Sequence, residues 1–260
     1  MASTKLSDLG TALITGATSG IGHEFARQLA SRGHDLILVA RDRERLDAVA
    51  ADLGSTYGVS VEVLPADLAD RDQLLLVEQR LAEDDRPVDL LVNNAGFGLK
   101  KRFLDSDVAD EQAMIDVLVT AVMRLSHAAL GAMAARGKGG LINVSSVASF
   151  LPRGTYSAAK AWVTSFGQWA ANEYRSQGIT VLTLCPGFTR TEFHSRMGVR
   201  RQSAPDLLWL ESDFLVERSL ADFDKGRELS IPGGQYKLIT SAARVIPRRA
   251  LQTYQSIGRR

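Results

Sequence analysis

A single cysteine, Cys185, stands among 260 residues, so no intramolecular disulfide framework is available and a reducing compartment is expected. Neither sign of charge is in excess. Lysine and arginine number 31 against 30 aspartates and glutamates, a net charge of +1 that offers no field for nucleic acid. No apolar run approaches the roughly 18 residues of a membrane span, and the opening MASTKLSDLG carries no secretory hydrophobic stretch. His23, His34, His127 and His194 lack metal-ligand spacing with cysteine or carboxylate partners, so no metal is expected. Repeats and low-complexity linkers are missing as well. What remains, 45% hydrophobic residues in a chain of ordinary length, fits one soluble, cytoplasmic domain over 1–260.

Acidic residues also run out along the chain. None follows Glu228, whereas Lys237, Arg244, Arg248, Arg249, Arg259 and Arg260 do. With the apolar spacing of Leu238, Ile239, Val245 and Ile246, the tail from about 234 to 260 reads in one of two ways. It packs an amphipathic helix on its own core or a sister subunit, the commoner use of such a pattern, or it lies on a membrane surface.

Short β-rich apolar runs alternate with longer helical stretches. The runs at 11–15, 35–40, 59–64, 88–92, 141–144 and 179–184 are nearly continuous, as strands covered on both faces of a parallel sheet should be. Helical stretches fall at 21–31, 43–53, 70–82, 109–135 and 156–176, with Asp70 as an N-cap and Gly33 and Gly178 as stops. The alternation predicts right-handed βαβ units. The fold expected is a single-domain, Rossmann-type α/β fold whose doubly wound parallel sheet has about seven strands, with helices on both faces. From about 191 to 226 the alternation breaks into an insertion, followed by a late strand near 228–231. An insertion beyond the carboxyl end of a late strand is where such folds hold substrate.

The first strand runs into Thr15-Gly16-Ala17-Thr18-Ser19-Gly20-Ile21-Gly22, and a helix follows. Glycines permit a tight turn and let the main chain approach a pyrophosphate, whose charge a helix N-terminus stabilises. The second strand ends Val39-Ala40-Arg41-Asp42-Arg43. A site selective for NAD places a carboxylate at that tip, whereas an arginine suits the 2′-phosphate of NADP. Ala40 and Arg41 therefore favour NADP(H) over NAD(H), and Asp42 is the residue that keeps NAD in play. Tyr156 and Lys160 stand four positions apart, on one face of a helix. A free phenol titrates near pH ~10. An adjacent ammonium, with the positive charge of an oxidised nicotinamide, stabilises the phenolate and brings the group towards the working range of an acid–base catalyst.

Further motifs accompany these: Asp67-Leu68 after the third strand, Asn93-Asn94-Ala95-Gly96 after the fourth, Ser145-Ser146 after the fifth and Pro186-Gly187 after the sixth. Their order is that of the short-chain dehydrogenase/reductase family, and the chain resembles its shorter single-domain branch over nearly its whole length. The resemblance implies hydride transfer between a nicotinamide cofactor and a ketone or aldehyde and its alcohol. Tyr156 would protonate the carbonyl oxygen, Ser146 would hydrogen-bond the same oxygen, and Lys160 would lower the tyrosine's pKa and hold the nicotinamide ribose. Gly16, Thr18, Ser19, Gly20, Ile21 and Gly22 would cradle the pyrophosphate and Arg41 the 2′-phosphate. Asp67 would contact adenine with Leu68 beside it, and Asn93, Ala95 and Gly96 would support the cofactor and the central sheet. Pro186, Gly187, Thr189 and Thr191 would bind the nicotinamide end, Thr191 near the carboxamide.

Two departures stand out. The loop between Ser146 and Tyr156 is shorter than the family's, which leaves Ser145 as an alternative to Ser146. Leu118, in Met114-Ile115-Asp116-Val117-Leu118-Val119-Thr120, occupies the position of the family's catalytic asparagine. Leucine cannot hydrogen-bond a relay water. A local bend is therefore expected around 117–120, freeing a main-chain carbonyl towards Lys160.

An apolar candidate rim, including Phe97, Leu99, Phe188, Phe193, Met197 and Trp209, favours a lipophilic carbonyl substrate. The stretches 109–135 and 156–176 carry more apolar residues than one buried face needs, Trp162, Phe166 and Trp169 among them. The resemblance implies that they pair in a homodimer or homotetramer. A second function class competes with the enzyme: a dinucleotide-binding regulator or scaffold with little catalysis. Leu118 favours it, and the intact Ser146, Tyr156 and Lys160 oppose it.

Overall fold

The computed structural model describes residues 4–99, 101–191 and 205–245. Its strands are β1 Thr11–Thr15, β2 Asp35–Ala40, β3 Val61–Pro65, β4 Leu90–Asn93, β5 Gly139–Val144, β6 Ile179–Leu184 and β7 Leu229–Ser230. They form one parallel sheet in the order β3-β2-β1-β4-β5-β6-β7. The helices are α1 Gly20–Ala30, α2 Arg43–Tyr57, α3 Arg71–Leu81, α4 Val108–Ile115, α5 Ala121–Arg136, α6 Thr155–Tyr174, α7 Ser212–Asp224 and α8 Gly234–Val245.

The strands are apolar throughout because alternate residues face two separate cores. On one side α1, α2 and α7 bury Phe25, Leu29, Leu46, Leu53 and Phe223 against Ile14, Leu38, Ile142 and Leu182. On the other, α3, α5 and α6 bury Leu74, Leu125, Met133 and Ala170 against Leu13, Val39, Leu91, Leu141 and Val181. By length and composition the stretch Val108–Arg136 is apolar enough to cross a membrane, yet half of it is buried within the protein.

Several boundaries move for identifiable reasons. Asp70 caps α3 as expected, its carboxylate accepting from the N–H groups of Asp72 and Gln73 at 3.0 Å. Helix α2 runs past Leu53 and through Gly54, because its stop is Gly58, at φ 71°, whose N–H bonds back to the Gly54 carbonyl. Strand β5 begins at Gly139-Gly140, ahead of the apolar run, where any side chain would collide with Met133 or Phe223. Helix 109–135 is broken: a π turn spans Asp116–Thr120, and the Ala121 N–H bonds to the Asp116 carbonyl five residues back. The expected disturbance of the ladder is there, as an inserted residue.

The tail divides. Tyr236 and Thr240 of α8 turn inward at 2% exposure each, while Leu238 and Ile239 are 74% and 42% exposed. The basic stretch beyond Val245 lies outside the described residues. The order of strands reverses between β1 and β4, and the candidate site lies at the carboxyl ends of the strands around that point.

Candidate active site

The turn after β1 is held by its neighbours. Gly16 has φ 68° and donates its N–H to the Val39 carbonyl at 2.7 Å. The Thr15 hydroxyl accepts from the N–H groups of Asn94 and Ala95 at 2.9 and 3.0 Å. The Asn94 side-chain amide donates to the Thr15 carbonyl at 2.8 Å and the Gly16 carbonyl at 3.3 Å. Asn94 thus locks the turn, a role the sequence reading did not give it, although it sits inside a motif that was picked out. Asn93 faces the other way: its amide donates to Ser126 Oγ at 3.1 Å and Asn143 Oδ1 at 2.9 Å, which ties β4 to β5 and α5. Ser19 makes no side-chain cap, so the first N–H groups of α1 are left for another acceptor. That donor set fits a pyrophosphate. Thr18, Gly20 and Ile21 lie half-buried around it, and Thr191 packs against Gly20 from across the site.

At the tip of β2, Arg41 is 77% exposed and reaches to 4.0 Å from Asp67 Oδ2. Asp67 accepts the Ala69 N–H at 3.0 Å, while the Leu68 side chain sits in the core and can offer a ligand only its main chain. Asp42 caps α2 by accepting the Arg45 N–H at 3.1 Å and pairs with the Arg45 guanidinium at 3.5 Å. The carboxylate that kept NAD in play is therefore engaged in holding a helix.

The two serines separate clearly. Ser145 Oγ donates to the Lys160 carbonyl at 2.8 Å and bonds the Thr164 hydroxyl at 2.8 Å, fixing β5 to α6. Ser146 Oγ accepts the Ala148 N–H at 3.1 Å and hydrogen-bonds Tyr156. Ser146 is the serine beside the phenol. Lys160 is 5% exposed; its Nζ donates to the Val144 carbonyl at 2.7 Å and lies 6.0 Å from the centre of the Tyr156 ring. The carbonyl that Lys160 reaches is thus at the end of β5. Leu118 is fully buried and clusters with Met114, Ala159, Phe97, Leu99 and Tyr156, its methyl so close to Gly96 that a Cβ there would be 2.7 Å away.

In the chain alone, burial pushes the Tyr156 phenol up to about 12, and the Ser146 hydrogen bond opposes this only in part. The Lys160 ammonium donates its hydrogen bond to the Val144 carbonyl. Burial also depresses Lys160, from 10.5 to about 8. Between those two values the unfolded chain holds the proton that the folded chain has released, so stability rises with pH; below pH 8 both states are charged and the full desolvation cost is present. Lys160→Met should therefore be more stable than the parent near pH 7, by an amount on the order of 3 kcal/mol, with the gap closing by pH ~10. Thermal melts of both proteins across that range check this.

At the end of β6, the Pro186 carbonyl accepts the Val147 N–H at 2.9 Å. Thr189 departs from expectation: it is 2% exposed and spends its hydroxyl on the Gly187 carbonyl at 3.1 Å. Of the apolar rim, Phe188 and Trp209 meet at 5.4 Å between ring centres, and Phe97 and Leu99 pack beside Tyr156. Phe193, Met197 and His194 lie outside the described residues.

A sequence profile described as short chain dehydrogenase matches residues 10–201. The chain belongs to the short-chain dehydrogenase/reductase family of oxidoreductases. It is 34% identical over 188 residues to the very-long-chain 3-oxoacyl-CoA reductase of Anas platyrhynchos, covering 70% of this chain and 60% of that protein. The chain therefore spans 60% of that relative's length, less than two thirds. A short-chain dehydrogenase from Sphingobium yanoikuyae in complex with NADPH superposes with TM-score 0.84 at 38% identity, over 94% of this chain and 96% of that one. A bulky-bulky ketone specific alcohol dehydrogenase from Comamonas testosteroni superposes with TM-score 0.79 at 33% identity, over 94% of both chains.

Proposed function

We propose that this protein is an NADP(H)-dependent oxidoreductase that interconverts a lipophilic ketone or aldehyde and its alcohol. The observation that carries the reading is the half-buried phenol of Tyr156, hydrogen-bonded to Ser146 and backed by Lys160. When bound, NADPH supplies the hydride that the carbonyl carbon receives. Tyr156 donates its proton to the carbonyl oxygen, and Ser146 polarises that oxygen from the other side. Lys160, cationic below pH 8, stabilises the phenolate left behind. The apolar wall of Phe97 and Leu99 beside Tyr156 supports a lipophilic substrate, as do the substrates named for the two relatives above. A panel of aliphatic and aryl ketones, followed by NADPH absorbance, tests the assignment; no oxidation of NADPH despite measurable binding would instead support a non-catalytic dinucleotide-binding protein.

Preference for NADP(H) rests on Arg41, exposed at the tip of β2, and on the engagement of Asp42 as a cap. Arg41→Ala should weaken NADPH binding by about 1.5–3 kcal/mol, the range for a charge-assisted hydrogen bond, and leave NADH nearly unaffected. Equal losses in titrations with the two cofactors contradict this. Leu118→Asn should change turnover by less than about tenfold, or 1.4 kcal/mol of barrier, because the π turn already perturbs the ladder at that point. Steady-state kinetics of the two proteins decide it. Assembly as a homodimer or homotetramer belongs to the same reading: Trp162 stacks on Phe166 at 5.0 Å, and Trp169 and Met123 are 51% and 46% exposed on α6 and α5.

A further inference from the structure

We infer that Tyr236, on α8, is a positioning residue for the substrate side of the site: its hydroxyl ties the chain leaving β6 to the chain that returns from the insertion. The inference rests on the carbonyl-reductase reading above. Tyr236 is 2% exposed, and its ring fills the space over Gly187, where a Cβ would lie 2.0 Å from the ring Cζ. Any side chain at 187 would therefore collide with the Tyr236 ring. The phenol oxygen accepts the Phe188 N–H at 2.8 Å and donates to the Leu208 carbonyl at 2.5 Å.

Beyond that tie the two segments run together. The Leu210 N–H donates to the Phe188 carbonyl at 2.8 Å, the Arg190 N–H donates to the Leu210 carbonyl at 2.9 Å, and Thr189 pairs with Leu210. Arg190 and Glu211 close the far end with an ion pair at 2.9 Å. One segment carries Gly187 and Thr191 towards the turn of β1, and the other carries Trp209 of the apolar rim. A hydroxyl that satisfies one main-chain donor and one acceptor fixes their separation, since both would otherwise need new partners. Burial holds the phenol neutral, its pKa pushed up to about 12, so the tie survives across the working range. The fold of α8 does not depend on it: the Tyr236 N–H bonds the Gly233 carbonyl, and Thr240 Oγ1 bonds the Tyr236 carbonyl at 2.9 Å.

Tyr236→Phe keeps the ring over Gly187 and deletes only the hydroxyl. With NADPH saturating and a bulky aryl ketone as probe, KM for the ketone should rise at least about fivefold while kcat stays within about twofold. In the same variant with NADPH bound, the main-chain amides of Arg190 and Leu210 should exchange with deuterium at least about fivefold faster than in the parent, as read by mass spectrometry. Thr240→Val, which loosens the same helix without touching the tie, should change neither. Parent-like exchange in Tyr236→Phe overturns the inference, and so does an equal change in Thr240→Val, which would make the effect one of helix packing. If the parent turns over no ketone with NADPH, the carbonyl-reductase reading fails, while the exchange comparison still decides the tie.

Discussion

Tyr156→Phe should lower kcat for ketone reduction by about 10²- to 10⁴-fold, the range for losing a positioned general acid. Among the described residues nothing else at the site can replace the group. Ser146 is a hydroxyl without a base, and Lys160 points its ammonium at the Val144 carbonyl. The substitution is otherwise mild, because the ring packs with Met114, Leu118 and Ala159 and phenylalanine keeps those contacts. NADPH affinity should fall less than about tenfold, so the loss appears in turnover rather than in binding. A single-turnover assay with enzyme in excess separates the two, and near-parental turnover in the variant removes Tyr156 from the chemistry.

The second large effect is expected at Gly22. A Cβ there would fall 2.2 Å from the Gly16 carbonyl oxygen and 2.3 Å from the Asn94 side-chain nitrogen. The first obstacle is backbone and the second is the amide that locks the turn, so neither yields without opening the pyrophosphate cradle. Gly22→Ala should cost about 1–3 kcal/mol of stability through overpacking and raise the Kd for NADPH at least about 100-fold, or 2.7 kcal/mol. Gly33→Ala is the matched control. Its Cβ would meet nothing within 4 Å, and the only penalty is φ 85°. It should cost about 1–2 kcal/mol and leave NADPH binding as it was. Titration of both variants by NADPH fluorescence checks the contrast, and parental affinity in Gly22→Ala contradicts it.

Much of this was legible in the residues. The strands at 11–15, 35–40 and 179–184 carry nearly continuous apolar runs, as expected of a parallel sheet covered on both faces, and the structure has them there. Glycine boundaries were harder, since Gly54 and Gly139-Gly140 look like breaks but serve a helix interior and a tightly packed strand end. At the site, residue types revealed the members but not their direction. Asn93 and Asn94 are neighbours of one type, and only the pleat sends one into the sheet and the other into the turn. Ser145 and Ser146 divide by the same alternation. Tyr236 was beyond reach, because its partners at 187, 188 and 208 meet it only through the fold. The depressed Lys160 and raised Tyr156 likewise follow from burial, which the sequence does not display.

The most direct test of the central claim follows the hydride itself. The protein would be incubated with a bulky aryl ketone and NADPH carrying deuterium at the transferable C4 position, and the alcohol examined by mass spectrometry. The account predicts one deuterium at the carbinol carbon of each product molecule, formed by the parent and at least about 100-fold more slowly by Tyr156→Phe. Bound NADPH with no deuterated alcohol, from any ketone that fits the apolar wall, would contradict it.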